Sequence, residues 1–182
     1  MASARRHFAE SLSVSDIRLF IGATGFFTLA GRALAVVIGF QIYRLTHSPF
    51  ALGMLGLIEA IPALSLVLFG GYVADFFNRQ RILLVMRAAS FACALALAAL
   101  SASSQTPLWS LYAVVFLAGI ARGFADPAST AFEAQVVPKH LTVNAASWIS
   151  STWLGCSVIG PSVIGFVFEA WGATGSYLLI AA

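Results

Sequence analysis

The sequence predicts an all-α polytopic membrane protein, and three observations carry that fold class. Of its 182 residues, 60% are hydrophobic and 9% charged, a composition outside that of soluble domains. Long apolar stretches recur between short polar breaks, each near the roughly 20 residues an α-helix uses to cross the hydrocarbon core. These stretches are apolar on every side and about twice the roughly ten-residue length of alternating barrel strands, so helices are the class that satisfies the backbone within lipid. Soluble enzymes, nucleic-acid binders and disulfide scaffolds are excluded on the same grounds. The net charge of +3 is therefore read by position. Cys93 and Cys156 lie in apolar runs and are expected to behave as small buried hydrophobes.

Residues 1–16 carry Arg5 and Arg6, and the apolar run behind them is too long for a signal-peptide core and lacks a cleavage site. They are expected to form a retained cytoplasmic leader. Residues 17–182 form the transmembrane bundle, with five complete spans near Ile17 to Tyr43, Phe50 to Ala74, Ile82 to Ala102, Leu108 to Ala125 and Ala145 to Phe168. If the N-terminus is inside, Arg5, Arg6, Arg18, Arg79, Arg81, Arg87 and Lys139 share one side and only Arg44 lies outside. The uncharged Ser103 to Pro107 segment suits an external loop. A sixth apolar segment opens after Trp171-Gly172 and reaches Ala182, roughly 15 Å into the bilayer. A helix stopping there would leave its last carbonyls unsatisfied in lipid, so the sequence reads as the front part of a longer protein.

Between the second and third spans stands Gly70-Gly71-Tyr72-Val73-Ala74-Asp75-Phe76-Phe77-Asn78-Arg79-Gln80-Arg81. A carboxylate beside two guanidinium groups makes an interfacial charge cluster that is screened less than in bulk water. The positive-inside bias accounts for the arginines but gives an aspartate nothing. The segment resembles the signature loop of the major facilitator superfamily: a glycine, three residues, an aspartate and a basic cluster, here Gly71, Asp75, Arg79 and Arg81. Phe76 and Asn78 depart from it, standing where the family has a basic residue and glycine, although Asn tolerates a left-handed turn. The resemblance implies that Asp75, Arg79 and Arg81 form a cytoplasmic gate closing against the C-terminal half of the transporter. Arg87 is assigned to the positive-inside bias alone.

In the fifth span, Gly155 to Gly165 resembles the glycine-proline motif of family antiporters, with Gly160, Pro161 and Gly165 at its core; Cys156 and Ile164 replace glycines of the fuller motif. Proline removes a helical donor, and glycines let a neighbouring helix approach, so a bending gate helix and plain packing both fit. Gly31, Ala35 and Gly39 in the first span, and Gly119 with Gly123 in the fourth, form further small-residue faces expected to pack against neighbours. With Leu45 to Pro49, Gly119 to Ala128 and Val136 to Pro138, the resemblance covers nearly the whole chain from about Ile17 and is similar to the enterobactin-exporter-like branch. It implies the six-helix N-terminal bundle of that fold, five full helices and a truncated sixth.

Arg32 falls near the middle of the first span, where a charge costs at least about 2.5 kcal/mol even on insertion scales. At 1.5 Å per residue it lies roughly 18 Å deep and Glu59 of the second span roughly 13 Å deep, so adjacent antiparallel helices are expected to pair them. Two readings stand. Arg32 faces a central cavity and contacts an anionic or hydrogen-bonding substrate, with Glu59 as partner or proton-coupling carboxylate; or the two form an ion pair that only fixes helix register. Arg122 is a third intramembrane substrate or proton candidate, with a weaker case because it lies close enough to the cytoplasmic end of the fourth span to snorkel to the interface, with Asp126-Pro127 as the helix stop. Phe26, Phe27, Phe40, Trp148 and Trp153 are candidates to line a cavity for lipophilic or aromatic compounds, the alternative and commoner role of such residues being to face lipid.

The resemblance implies a secondary transporter working by alternating access in the inner (plasma) membrane. Its substrates would be small lipophilic or siderophore-like molecules, its mode proton-coupled export, and its partners membrane lipids and a C-terminal half. No P-loop, HExxH or GxSxG occurs, and His47 and His140 fall in opposite loops, so no nucleotide, metal, cofactor, nucleic acid or enzymatic chemistry is expected. The alternative is a half-length scaffold or remnant that packs against partner helices without transporting.

Overall fold

In an apolar solvent each backbone N–H and C=O must find its partner inside the chain, and an apolar run does so by closing into a helix. The computed structural model describes residues 15–103, 106–138 and 141–181. Within them stand five helices: α1 Ser15–Thr46, α2 Pro49–Phe76, α3 Arg79–Ser101, α4 Leu108–Val136 and α5 Thr142–Ala181. All five are long and apolar enough to cross a membrane. Nearly all of the expected leader, Arg5 and Arg6 included, lies outside the described residues, as do Lys139 and His140.

The connections are short and chemically specified. His47 takes φ 49° between α1 and α2, and Pro49 occupies the first helical position, where its missing N–H removes no helical bond. Asn78 caps α3 by accepting a hydrogen bond from the Arg81 backbone N–H at 3.2 Å. Its φ of −65° is extended, so Asn78 stands there as a cap and not for the left-handed turn expected of it. Gly172, at φ 68° and ψ −169°, breaks α5 and starts the sixth segment where the sequence indicated; a side chain would disfavour that conformation.

One boundary needs correction. Asp126-Pro127 does not stop the fourth helix, which runs through to Val136. Pro127 is accommodated because it meets α2 at Gly70, where an added Cβ would lie 2.9 Å from the proline ring. The extension places Arg122 at the midpoint of α4, so the snorkelling reading fails as well.

The broadest packing is between α2 and α4 and between α1 and α5, with α3 lying against α4 and α5. The α2–α4 seam is built by absent side chains. A Cβ on Gly119 would lie 2.6 Å from the Glu59 carbonyl oxygen, and one on Gly123 would lie 2.9 Å from Leu66 Cβ. Such close approach is how helices hold together where lipid removes the hydrophobic drive. Gly160 does the same for α5 against α1, 3.0 Å from the Leu29 carbonyl oxygen, whereas Gly155 and Gly165 face open space. Gly31 also faces open space, so of the first-span stripe only the Gly39 end meets a neighbour, at 4.0 Å from Leu52 of α2.

At the end carrying the His47 connection, a polar chain ties three spans. The Tyr177 hydroxyl donates to Gln41 Oε1 at 2.7 Å, and Gln41 Nε2 donates to Ser101 Oγ at 2.8 Å. Around it packs the largest apolar cluster, including Val37, Ile42, Leu97, Leu111 and Phe168. At the opposite end Ala74, Leu83 and Ala128 join α2, α3 and α4. Phe26, Phe50, Leu68 and Phe166 point outward, as suits side chains solvated by acyl chains.

Candidate functional site

Helix packing leaves a cavity of about 430 Å³ inside the bundle, lined from α1 by Phe27, Gly31, Arg32 and Ala35, from α2 by Glu59, from α3 by Arg87, Ser90 and Phe91, from α4 by Arg122 and Asp126, and from α5 by Trp153 and Ile180. The first-span stripe expected to pack against a neighbour is part of this wall: Gly31 and Ala35 keep the space clear.

The central charge is Arg122. Its Nη1 donates to Glu59 Oε1 at 2.7 Å, and its Nε lies 3.5 Å from Asp126 Oδ2 one turn along α4. The register follows from the glycine seam, because Gly119 presses against the Glu59 carbonyl and brings that residue within reach of Arg122. Both side chains remain partly open to the cavity, at 51% for Arg122 and 34% for Glu59. A charge-assisted hydrogen bond of this length at mid-helix neutralises two groups that lipid alone would not tolerate.

The expected Arg32–Glu59 pair does not form. Similar depth is not sufficient: α2 packs chiefly on α4 and only lightly on α1, so Glu59 meets the fourth span instead of the first. Arg32 turns to α5, its guanidinium carbon 4.8 Å from the centre of the Trp153 ring. Gly160 fixes that approach, since its Cβ would lie 3.5 Å from Arg32 Cβ. Arg32 does face the cavity, as the sequence indicated.

Arg87, assigned to topology alone, is another wall residue. It lies about two turns inside α3, its guanidinium carbon 5.5 Å from the centre of the Phe27 ring. That depth was readable: a charge two turns inside an apolar span is itself a functional signal. Phe27 and Trp153 line the cavity as expected. Phe26 faces outward, Phe40 stacks on Phe168 and Trp148 packs with the cluster around Ile17.

The α2–α3 connection is organised differently. Arg79 Nε donates to the Ala74 carbonyl at 3.2 Å and Nη1 to the Ala131 carbonyl at 3.1 Å, pinning the end of α2 to α4. Asp75 lies 3.9 Å from Arg79 Nη2 with 72% of its side chain exposed. Arg81 is exposed and its side chain forms no ion pair among the described residues, and Gly71 has open space above it. Asp75, Arg81 and Gly71 thus present a free surface, while Arg79 is committed to backbone carbonyls.

Comparison with known proteins agrees with this architecture. The family model described as Major Facilitator Superfamily matches residues 20–182. A staphyloferrin A transporter of Staphylococcus aureus (strain NCTC 8325 / PS 47) is 26% identical over 78% of this chain and 36% of its own length. The uncharacterized transporter YwbF of Bacillus subtilis (strain 168) is 27% identical over 96% of this chain and 43% of its own length. The chain therefore spans well under two thirds of each of these relatives. No solved structure matches it. The match runs from the first span to the sixth segment and takes in every helix around the cavity: the chain belongs to the major facilitator superfamily.

Proposed function

We propose that this chain is the N-terminal half of a proton-coupled secondary exporter that moves small lipophilic or siderophore-like molecules across the inner (plasma) membrane by alternating access, with its N-terminus cytoplasmic. One observation carries the reading: a largely apolar cavity at mid-span, walled by all five helices and the sixth segment, with the Arg122–Glu59 ion pair set in its wall. Glu59 is the proton-coupling carboxylate. When protonated it releases Arg122, and when ionised it holds it, so proton uptake is linked to the α2–α4 contact. Asp75, exposed and only loosely paired with Arg79, and the exposed Arg81 close against the C-terminal half. Similarity to a protein named as a staphyloferrin A transporter supports trying that compound first.

The test is transport by the protein as its gene encodes it, reconstituted in proteoliposomes with an imposed pH gradient, using staphyloferrin A and a panel of lipophilic compounds. Gradient-driven movement that collapses on adding a protonophore is expected. Glu59→Gln should abolish accumulation against a gradient while leaving downhill exchange. Movement indifferent to the protonophore would overturn the coupling, and no movement of any compound would overturn the transport reading.

A further inference from the structure

The charges around the cavity do not balance. Three arginines, Arg32, Arg87 and Arg122, share its wall with two carboxylates, Glu59 and Asp126. Both carboxylates lie against the same arginine, Arg122, at 2.7 and 3.5 Å. Arg32 and Arg87 have no carboxylate partner among the described residues, and each rests on an aromatic face, Trp153 at 4.8 Å and Phe27 at 5.5 Å. A guanidinium held in its cationic form at that depth has only a weak counterweight in a ring quadrupole. Its in-plane N–H groups stay available, in the fork that fits a carboxylate or phosphate bidentately.

The two arginines come from α1 and α3, which do not pack broadly on each other, so one ligand reaching both bridges two helices across the cavity. The same two helices give the wall aromatic rings, Phe27 from α1 and Phe91 from α3. We infer that the cavity takes a small molecule bearing two anionic groups on an apolar or aromatic body, one group on Arg32 and the other on Arg87. The inference rests on reading this cavity as the substrate site. It assigns the Arg122 pair to coupling and the other two cations to recognition, so substrate is held without opening the Glu59 contact.

The experiment is equilibrium binding by the protein as its gene encodes it, in phosphatidylcholine nanodiscs without any gradient. The probes are the benzenedicarboxylate isomers, benzoate and benzene-1,3-dicarboxamide. At least one dianion is expected to bind about tenfold or more tighter than benzoate, because a second charge-assisted contact is worth at least that factor. The neutral diamide should bind no better than benzoate. Arg32→Gln or Arg87→Gln should each bring the dianion down to the benzoate level, and Arg32→Lys and Arg87→Lys, which keep the charge but lose the fork, should leave a reduced preference between the two. Equal binding of dianion and monoanion by the wild type overturns the inference even if the glutamine variants do not fold. So does a preference that survives both glutamine substitutions. Loss of the preference in phosphatidylglycerol nanodiscs at the same ionic strength overturns it too, assigning the arginines to lipid headgroups. A protein that binds dianions but moves nothing would sink the transport reading alone; one that moves neutral compounds without charge preference would sink this inference alone.

Discussion

Two helices carry the same small-residue text with opposite outcomes. On α4, Gly119 and Gly123 are pressed against the α2 backbone, with a Cβ at Gly119 meeting the Glu59 carbonyl oxygen at 2.6 Å; on α1, Gly31 meets nothing and opens onto the cavity. A stripe of small residues therefore states that a backbone must be left bare, without stating what uses the space. On α4 the space is filled by a partner helix. On α1 it stays open as part of the cavity wall. The difference lies in the neighbours: Gly123 is matched across the seam by Ala63 and Leu66, whereas Gly31 stands beside Arg32, whose head needs room.

Substitutions can break or sharpen this contrast. Gly119→Leu should have the largest effect, a loss of about 3 kcal/mol from overpacking against a backbone that cannot yield. Thermal unfolding in detergent measures it, and an unchanged Tm would show that the seam is not tight. Arg122→Ala should follow at about 2 kcal/mol, less than for a fully buried pair because both side chains are partly open. Glu59→Gln, which keeps an acceptor for Arg122, should cost less in the same measurement. Arg79→Gln should lose about 1 to 2 kcal/mol through its bonds to Ala74 and Ala131. Limited proteolysis of the α2–α3 connection would report the same loosening.

At the other extreme, Gly31→Leu should change stability by no more than about 0.5 kcal/mol, because it meets open space. It should nonetheless reduce transport by filling the cavity. A Tm drop as large as that of Gly119→Leu would erase the distinction between the two stripes. Asp75→Asn should be smallest in stability, within about 0.5 kcal/mol, since its side chain is 72% exposed and 3.9 Å from Arg79. Transport is where its loss should appear.

How much was legible follows the same division. Span number, helical class and the Gly172 break came from hydropathy and turn chemistry, which act locally. Arg32 was legible as a cavity residue because a mid-span charge needs water or a partner. Its actual neighbour was not, since depth along a helix fixes one coordinate and leaves rotation and packing order free. The α2–α4 pairing that gives Glu59 to Arg122 is a contact between non-consecutive spans. Pro127 misled for a related reason. Proline is a stop signal when its ring and the freed carbonyl must meet solvent or lipid, but here Gly70 offers the ring a seat on another helix. Arg79 and Arg81 look alike in the sequence; only Ala131, brought close by α4, separates the clamp from the free charge.

The Tyr177–Gln41–Ser101 chain joins the sixth segment, α1 and α3 near one end of the bundle. Rods bound together at one end behave like the arms of tweezers, with displacement growing in proportion to distance from the knot. Any tilt among these three spans is therefore least around Tyr177, larger at the depth of Arg32 and Arg87, and greatest at the α3 tip that carries Arg81. The phenolic hydroxyl thus ties the sixth segment into the fulcrum, and Tyr177→Phe would loosen that arm while leaving the Gln41–Ser101 bond between α1 and α3 in place.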